Sequence, residues 1–154
     1  MHASAPNPHV LSVSGSTALL RTGEYRVQGD WNFSDKFVGM AAPTDIAALE
    51  YSSKCWRGAR AYFSIADYQG NPSNFRHALA IRDGVSGFVS YNDNGNIRYF
   101  MQNTGCFTKD IRASFQYEHN QRGSVIGVSV GWGVLSVSYN KPDIQWQKST
   151  GIFS

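Results

Sequence analysis

Between residues 110 and 139, apolar and polar side chains alternate with a period of two, the mark of half-buried strands. Over 110–118, Ile111, Ala113, Phe115 and Tyr117 fall on one face, and Arg112, Ser114, Gln116 and Glu118 on the other. The polar run His119-Asn120-Gln121-Arg122-Gly123 then reads as the loop of a hairpin. Its return strand sets Ile126, Val128, Val130, Trp132 and Val134 against Gly127, Ser129, Gly131 and Gly133. The large residues next change sides, to Leu135, Val137 and Tyr139, which predicts a bulge or a second turn at Gly131-Trp132-Gly133. In this register Phe115 and Val128 share one core face.

The same pattern recurs along the rest of the chain. Short strands are expected at 10–14 and 17–21, then a longer one over 24–33 with Tyr25, Val27, Trp31 and Phe33 on one side. Residues 61–66 read as a strand, and 75–82 alternate as Phe75, His77, Leu79 and Ile81 against Arg76, Ala78, Ala80 and Arg82. Asn92-Asp93-Asn94-Gly95 is a hairpin turn by composition, flanked by strands at 88–91 and 96–101. A short final strand or tail at 144–148 carries Trp146. One stretch breaks the pattern. Pro43-Thr44-Asp45 looks like a helix start with Thr44 as N-cap, and Ile46 and Leu49 share a helical face, so one short helix is predicted near residues 44–53. The fold expected is an all-β, antiparallel, jelly-roll-type β-sandwich. Residues 1–9 form an N-terminal arm, 10–148 a single domain and 149–154 a C-terminal tail.

Composition sharpens this picture without changing it. In 154 residues only 16% are charged while 14% are aromatic, and Lys and Glu, the usual helix-surface residues, are scarce. The net charge of +3 comes more from Arg than from Lys, with no basic block of the nucleic-acid-arm kind. No run is long and apolar enough for a membrane helix, and the first residues carry no apolar signal segment.

Candidate chemistry is sparse. Cys55 and Cys106 are the only cysteines; they suit either a bridge or two buried thiols, and reduced thiols are what a cytosolic product would carry. No metal-ligand spacing is present. The 90–101 stretch imitates a calcium loop but puts Ser90 and Met101 where carboxylates are required. His77 projects from an apolar face, with Asp67 and Asp83 at neighbouring strand ends as its nearest partners in sequence. No nucleophile elbow, P-loop or metalloprotease helix occurs. The expectation is no enzyme, no cofactor and no metal.

The run Trp56-Arg57-Gly58-Ala59-Arg60-Ala61-Tyr62, after the expected helix, resembles the opening of a central strand in the jelly-roll capsid proteins of picorna-like RNA viruses. Gly133-Val134-Leu135-Ser136-Val137-Ser138-Tyr139 is similar to the closing strand of small icosahedral capsid proteins. The resemblance implies a structural subunit of a viral capsid, an oligomer located in the virion and made in the host cytoplasm. Its partners would be copies of itself or sibling capsid proteins, and RNA where Arg57 and Arg60 face inward. Trp56, Arg57, Gly58 and Arg60 are then the assembly or RNA-contact residues. The alternative is a secreted, lectin-like binding module, in which Trp31, Trp146, Tyr91 and Tyr99 stack on carbohydrate. A third is a pore-forming toxin with an amphipathic membrane hairpin at 111–134, since residues 124–140 carry no charge.

Overall fold

The computed structural model describes residues 11–34, 45–64, 75–81, 84–89, 94–106, 108–120, 124–140 and 145–154, with backbone alone for 63, 75–81 and 84–89. The strands are β1 (Leu11–Leu19), β2 (Tyr25–Phe33), β3 (Asp45–Ser52), β4 (Trp56–Ser64), β5 (Phe75–Ile81) and β6 (Gly84–Val89). They continue as β7 (Asn94–Asn103), β8 (Arg112–Asn120), β9 (Val125–Gly131), β10 (Val134–Tyr139) and β11 (Gln145–Phe153). Every pairing is antiparallel. One sheet has the order β1-β2-β7-β4, a second β11-β8-β3-β6-β5, and β9 and β10 pair only with each other.

The core lies between the two large sheets. From the first come Leu11, Val27, Trp31, Phe33, Ile97, Tyr99 and Met101, and from the second Ala47, Leu49, Tyr51, Ala113, Phe115 and Tyr117, all buried. Trp31 stacks on Phe115 with ring centroids 6.2 Å apart. Gly29 lies over that same Phe115 ring, and a Cβ there would overlap it; a glycine is what lets the two sheets close at this point. The expected all-β sandwich is therefore present.

The expected helix is not. Residues 45–52 form β3, the middle strand of the five-stranded sheet, with β6 on one side and β8 on the other. Its two faces are both covered: Ala47, Leu49 and Tyr51 face the main core, while Ile46 and Ala48 face the β9–β10 hairpin. A strand buried on both faces loses its polar alternation, and Ile46 and Leu49 then imitate a helical stripe. Thr44, the expected N-cap, lies outside the described residues.

Three pairings also differ from expectation. β8 and β9 are consecutive but do not form a hairpin, since β8 lies between β11 and β3. The tight turn is the one expected at Gly131-Trp132-Gly133, which joins β9 to β10 with Gly133 at φ 70°. Phe115 and Val128 consequently pack on opposite sides of the five-stranded sheet, in separate clusters. β6 and β7 do not pair across 90–93 either, because β6 belongs to one sheet and β7 to the other. β11 runs to Phe153 alongside β8, through the segment expected as a tail beyond residue 148. The arm at 1–9, with Asp67, Asp83 and Tyr91, lies outside the described residues, and so does the side chain of His77.

Cys55 and Cys106 are joined in a disulfide, with Cα atoms 5.1 Å apart, so the expectation of free thiols is corrected. Asp110 shapes the approach on one side. It accepts hydrogen bonds from Ser53 Oγ (2.5 Å) and from the backbone N–H of Lys54 (2.7 Å) and Cys55. On the other side Gly105, at φ 115°, turns the chain so that Thr104 N–H reaches the Cys55 carbonyl at 2.9 Å.

Candidate functional site

The β9–β10 hairpin covers the outer face of the five-stranded sheet, whereas no described strand packs on the outer face of the four-stranded one. Strand register makes that face a grid of rows. Ser12, Asn32 and Asn94 stand abreast, then Ser14, Asp30, Asn96 and Ser64, then Ser16, Gln28, Arg98 and Tyr62. The next row is Ala18, Arg26, Phe100 and Arg60, beyond which Arg57 stands opposite Gln102. Alternation explains the composition. The inward partners of these residues, Trp31, Val27, Ile97 and Tyr99, are the core.

Several groups on this face are held in place. Gln28 Nε2 donates to Asp30 Oδ1 at 2.8 Å, and Arg98 Nη2 to Ser64 Oγ at 3.0 Å. Arg60 grips Glu24 with both arms of its fork, each at 2.9 Å; that guanidinium holds the Glu24 carboxyl below the usual range. Tyr62 and Phe100 meet edge to face at 5.5 Å, with the Arg98 guanidinium 5.7 Å from the Tyr62 centroid and Arg60 4.9 Å from Phe100. Other groups have unmet capacity: Asn96 Oδ1, Arg26 Nε and Arg98 Nε are buried atoms without a hydrogen-bond partner. Beside Asn96 the surface sinks into an open depression of about 330 Å³, lined by Asp30, Trp31, Asn32, Asn94, Gly95 and Asn96.

The residues singled out from sequence are distributed differently. Trp56 is buried, its indole N–H donating to the Thr108 carbonyl at 3.1 Å and its ring edge-on to Tyr25 at 4.7 Å. Gly58 sits inside β4, where its N–H reaches the Tyr51 hydroxyl at 3.0 Å and a Cβ would crowd the Tyr99 ring. Arg57 is exposed, and Arg60 is the partner of Glu24. Of the proposed sugar-stacking aromatics, Trp31 and Tyr99 are core residues at 1% and 7% exposure, and Trp146 is half-buried against His119 and Phe33. Tyr62, 45% exposed, is the aromatic that the face offers, and alternation with Ala61 in a strand is the signal that could have found it.

A second polar cluster ties β3 to β8. Asp45 accepts from Tyr117 Oη at 2.5 Å and from the Asn120 N–H at 2.8 Å, while His119 Nδ1 lies 3.2 Å from Asp45 Oδ2. His119 is wedged between Phe33 and Trp146. An Asp–His pair defines no reaction by itself; with the carboxylate shared among three groups it serves as a strut between strands. The uncharged hairpin is β9–β10, not 111–134, since β8 is an interior strand of the five-stranded sheet. No helix among the described residues is long and apolar enough to cross a membrane.

The chain matches no family model and no curated protein. Among solved structures, the collagen-binding domain from a Staphylococcus aureus adhesin is similar over 91% of this chain and 95% of its own, at 10% identity and a TM-score of 0.40. At that distance the likeness concerns the sandwich-like build alone. The capsid expectation is corrected here. The sequence run behind the shell reading follows the buried strand β3 and no helix. Its Trp56 and Gly58 are fastened to Thr108 and Tyr51 within their own chain.

Proposed function

We propose that this chain is a secreted, non-catalytic binding module that holds a carbohydrate along the outer face of its four-stranded sheet. The observation that carries this reading is unmet hydrogen-bonding capacity on an uncovered face, above all Asn96 Oδ1 at the edge of a 330 Å³ depression lined by amides and a carboxylate. A buried acceptor without a partner costs free energy that a ligand hydroxyl returns on binding. Asn and Asp side chains both accept and, in Asn, donate, which suits the paired demands of sugar hydroxyls. Tyr62, exposed next to Arg98, supplies an apolar ring on which a sugar can lie. The Cys55–Cys106 bridge supports an oxidising compartment and hence secretion.

A glycan array probed with the labelled protein tests this. At least one glycan class should be retained, with Asn96→Ala and Tyr62→Ala each lowering affinity about tenfold, the equivalent of roughly 1.4 kcal/mol. Thermal unfolding should show that both variants remain folded. Retention of no glycan, or full binding by both variants, would sink the reading.

A further inference from the structure

The grid is not electrically uniform. Its Asn-rich end carries Asp30 as its one carboxylate, already engaged by Gln28. Its other end gathers Arg26, Arg57, Arg60 and Arg98, of which Arg60 is neutralised by Glu24. Arg26 and Arg98 stand diagonally on adjacent strands, each with a buried Nε that meets no acceptor, and neither makes an ion pair with a described residue. Desolvated guanidinium donors without an acceptor are costly, and an oxyanion of planar or tetrahedral form satisfies them best. From Arg26 to Asn32 the face runs about 20 Å along β2, so one extended ligand can reach both ends.

On that basis, and resting on the carbohydrate-binding reading above, we infer that the ligand is an acidic polysaccharide. Its carboxylate or sulfate groups lie on Arg26 and Arg98, and its neutral hydroxyls on the Asn96 end. The arrangement suits a sugar polymer better than a nucleic acid. Tyr62 is the one large exposed ring on the face among the described residues, Phe100 lying under Arg60, whereas single-strand binders offer several open aromatic platforms to successive bases.

Affinity electrophoresis or calorimetry with the whole chain separates the possibilities, using alginate, dextran sulfate, uncharged dextran and poly(A) RNA as probes. The expected result is binding to alginate or dextran sulfate at least tenfold tighter than to dextran, weakening as salt is raised. Arg26→Gln with Arg98→Gln should remove most of that preference. Arg112→Gln, which deletes the same charge from the other sheet, should leave it intact, and Arg98→Lys should restore charge without the planar fork and recover binding only in part. Equal binding of dextran and the acidic polymers, or a double glutamine variant that folds and keeps its preference, overturns the acidic assignment while leaving the module reading in place. Tightest binding to poly(A) overturns it in favour of nucleic acid. If none of the polysaccharides binds, the acidic assignment has failed, and retention or loss of all glycans on the array decides whether the carbohydrate reading fails with it.

Discussion

Glu50 should make this protein less stable as pH rises through neutrality. The residue is 3% exposed, neither carboxylate oxygen has a hydrogen-bond partner, and its strand neighbours across the sheet are Ser114 and Gly84. Burial pushes its carboxyl up to about 8 from an ordinary 4.5. Between those two values the folded protein holds a proton on Glu50 that the unfolded chain has released. Stability therefore falls by about 1.4 kcal/mol for each pH unit, and the whole window is worth roughly 3–5 kcal/mol. That is a sizeable fraction of the 5–15 kcal/mol typical of a domain. Glu118, also raised by burial, adds a slope of the same sign. Glu24 and Asp110 are held low by the Arg60 guanidinium and the Ser53 hydroxyl, respectively. They act in the opposite sense and only in more acid solution.

Urea unfolding at pH 5, 6.5 and 8, with the disulfide intact, measures this directly. The parent should lose stability steadily over the series. Glu50→Gln should stabilise the protein by roughly 2–4 kcal/mol at pH 8, change little at pH 5, and leave a shallower slope due to Glu118. A parent profile that is flat or rises from pH 5 to 8 would refute the reasoning. An unchanged slope in Glu50→Gln would show that another group is responsible.

Reducing the Cys55–Cys106 bridge releases a loop with a separation of 51 residues and should cost about 4 kcal/mol; alkylation of native, unreduced protein that labels two thiols would refute the bridge. Phe115→Ala, in the main core, should cost roughly 3–5 kcal/mol, and Val128→Ala, half-buried across the sheet, about 1 kcal/mol. Because the two side chains occupy separate clusters, the double variant should be additive within about 0.5 kcal/mol, and strong coupling would place them on one face after all.

Strands are legible in the sequence where one face meets the core and the other meets water. Period alone assigns Ile111, Ala113, Phe115 and Tyr117 to one face, and all four are buried. What period cannot show is that Ser114, Gln116 and Glu118 are buried as well, at 1%, 4% and 6% exposure, because the layer above them comes from another part of the chain. The same cover disguises residues 45–52, whose Ala, Leu and Glu favour helix until two neighbouring strands and a hairpin outweigh propensity. The Asn-Gly turn signal at 92–95 misleads, because Asn94 and Gly95 are the first residues of β7, paired with Asn32 and Trp31. The proposed binding face is hidden for a similar reason. Its residues lie on four strands spread from Ser12 to Gln102, and only their register places Arg26 beside Arg98. Trp31 and Tyr99 stand out as large aromatics, yet in a two-layer sandwich such rings are the usual core.

The two sheets obey one alternation rule and meet opposite fates on their outer sides. On the five-stranded sheet the outward positions Glu50, Gln116 and Glu118 are polar, yet β9 and β10 close over them. Tyr139 Oη donates to Glu118 at 2.6 Å and Gln116 Nε2 donates to the Gly133 carbonyl, while Glu50 is left with nothing. Those groups are desolvated permanently, so their cost is present in every folded molecule and shows as a dependence of stability on pH. On the four-stranded sheet the unpaired atoms of Arg26, Asn96 and Arg98 belong to side chains of a face that no described strand covers, and in the proposed reading a ligand that binds and leaves relieves their cost. Relief there should follow ligand charge and salt. The same protein should thus show two separable electrostatic behaviours, one read in urea and the other in binding.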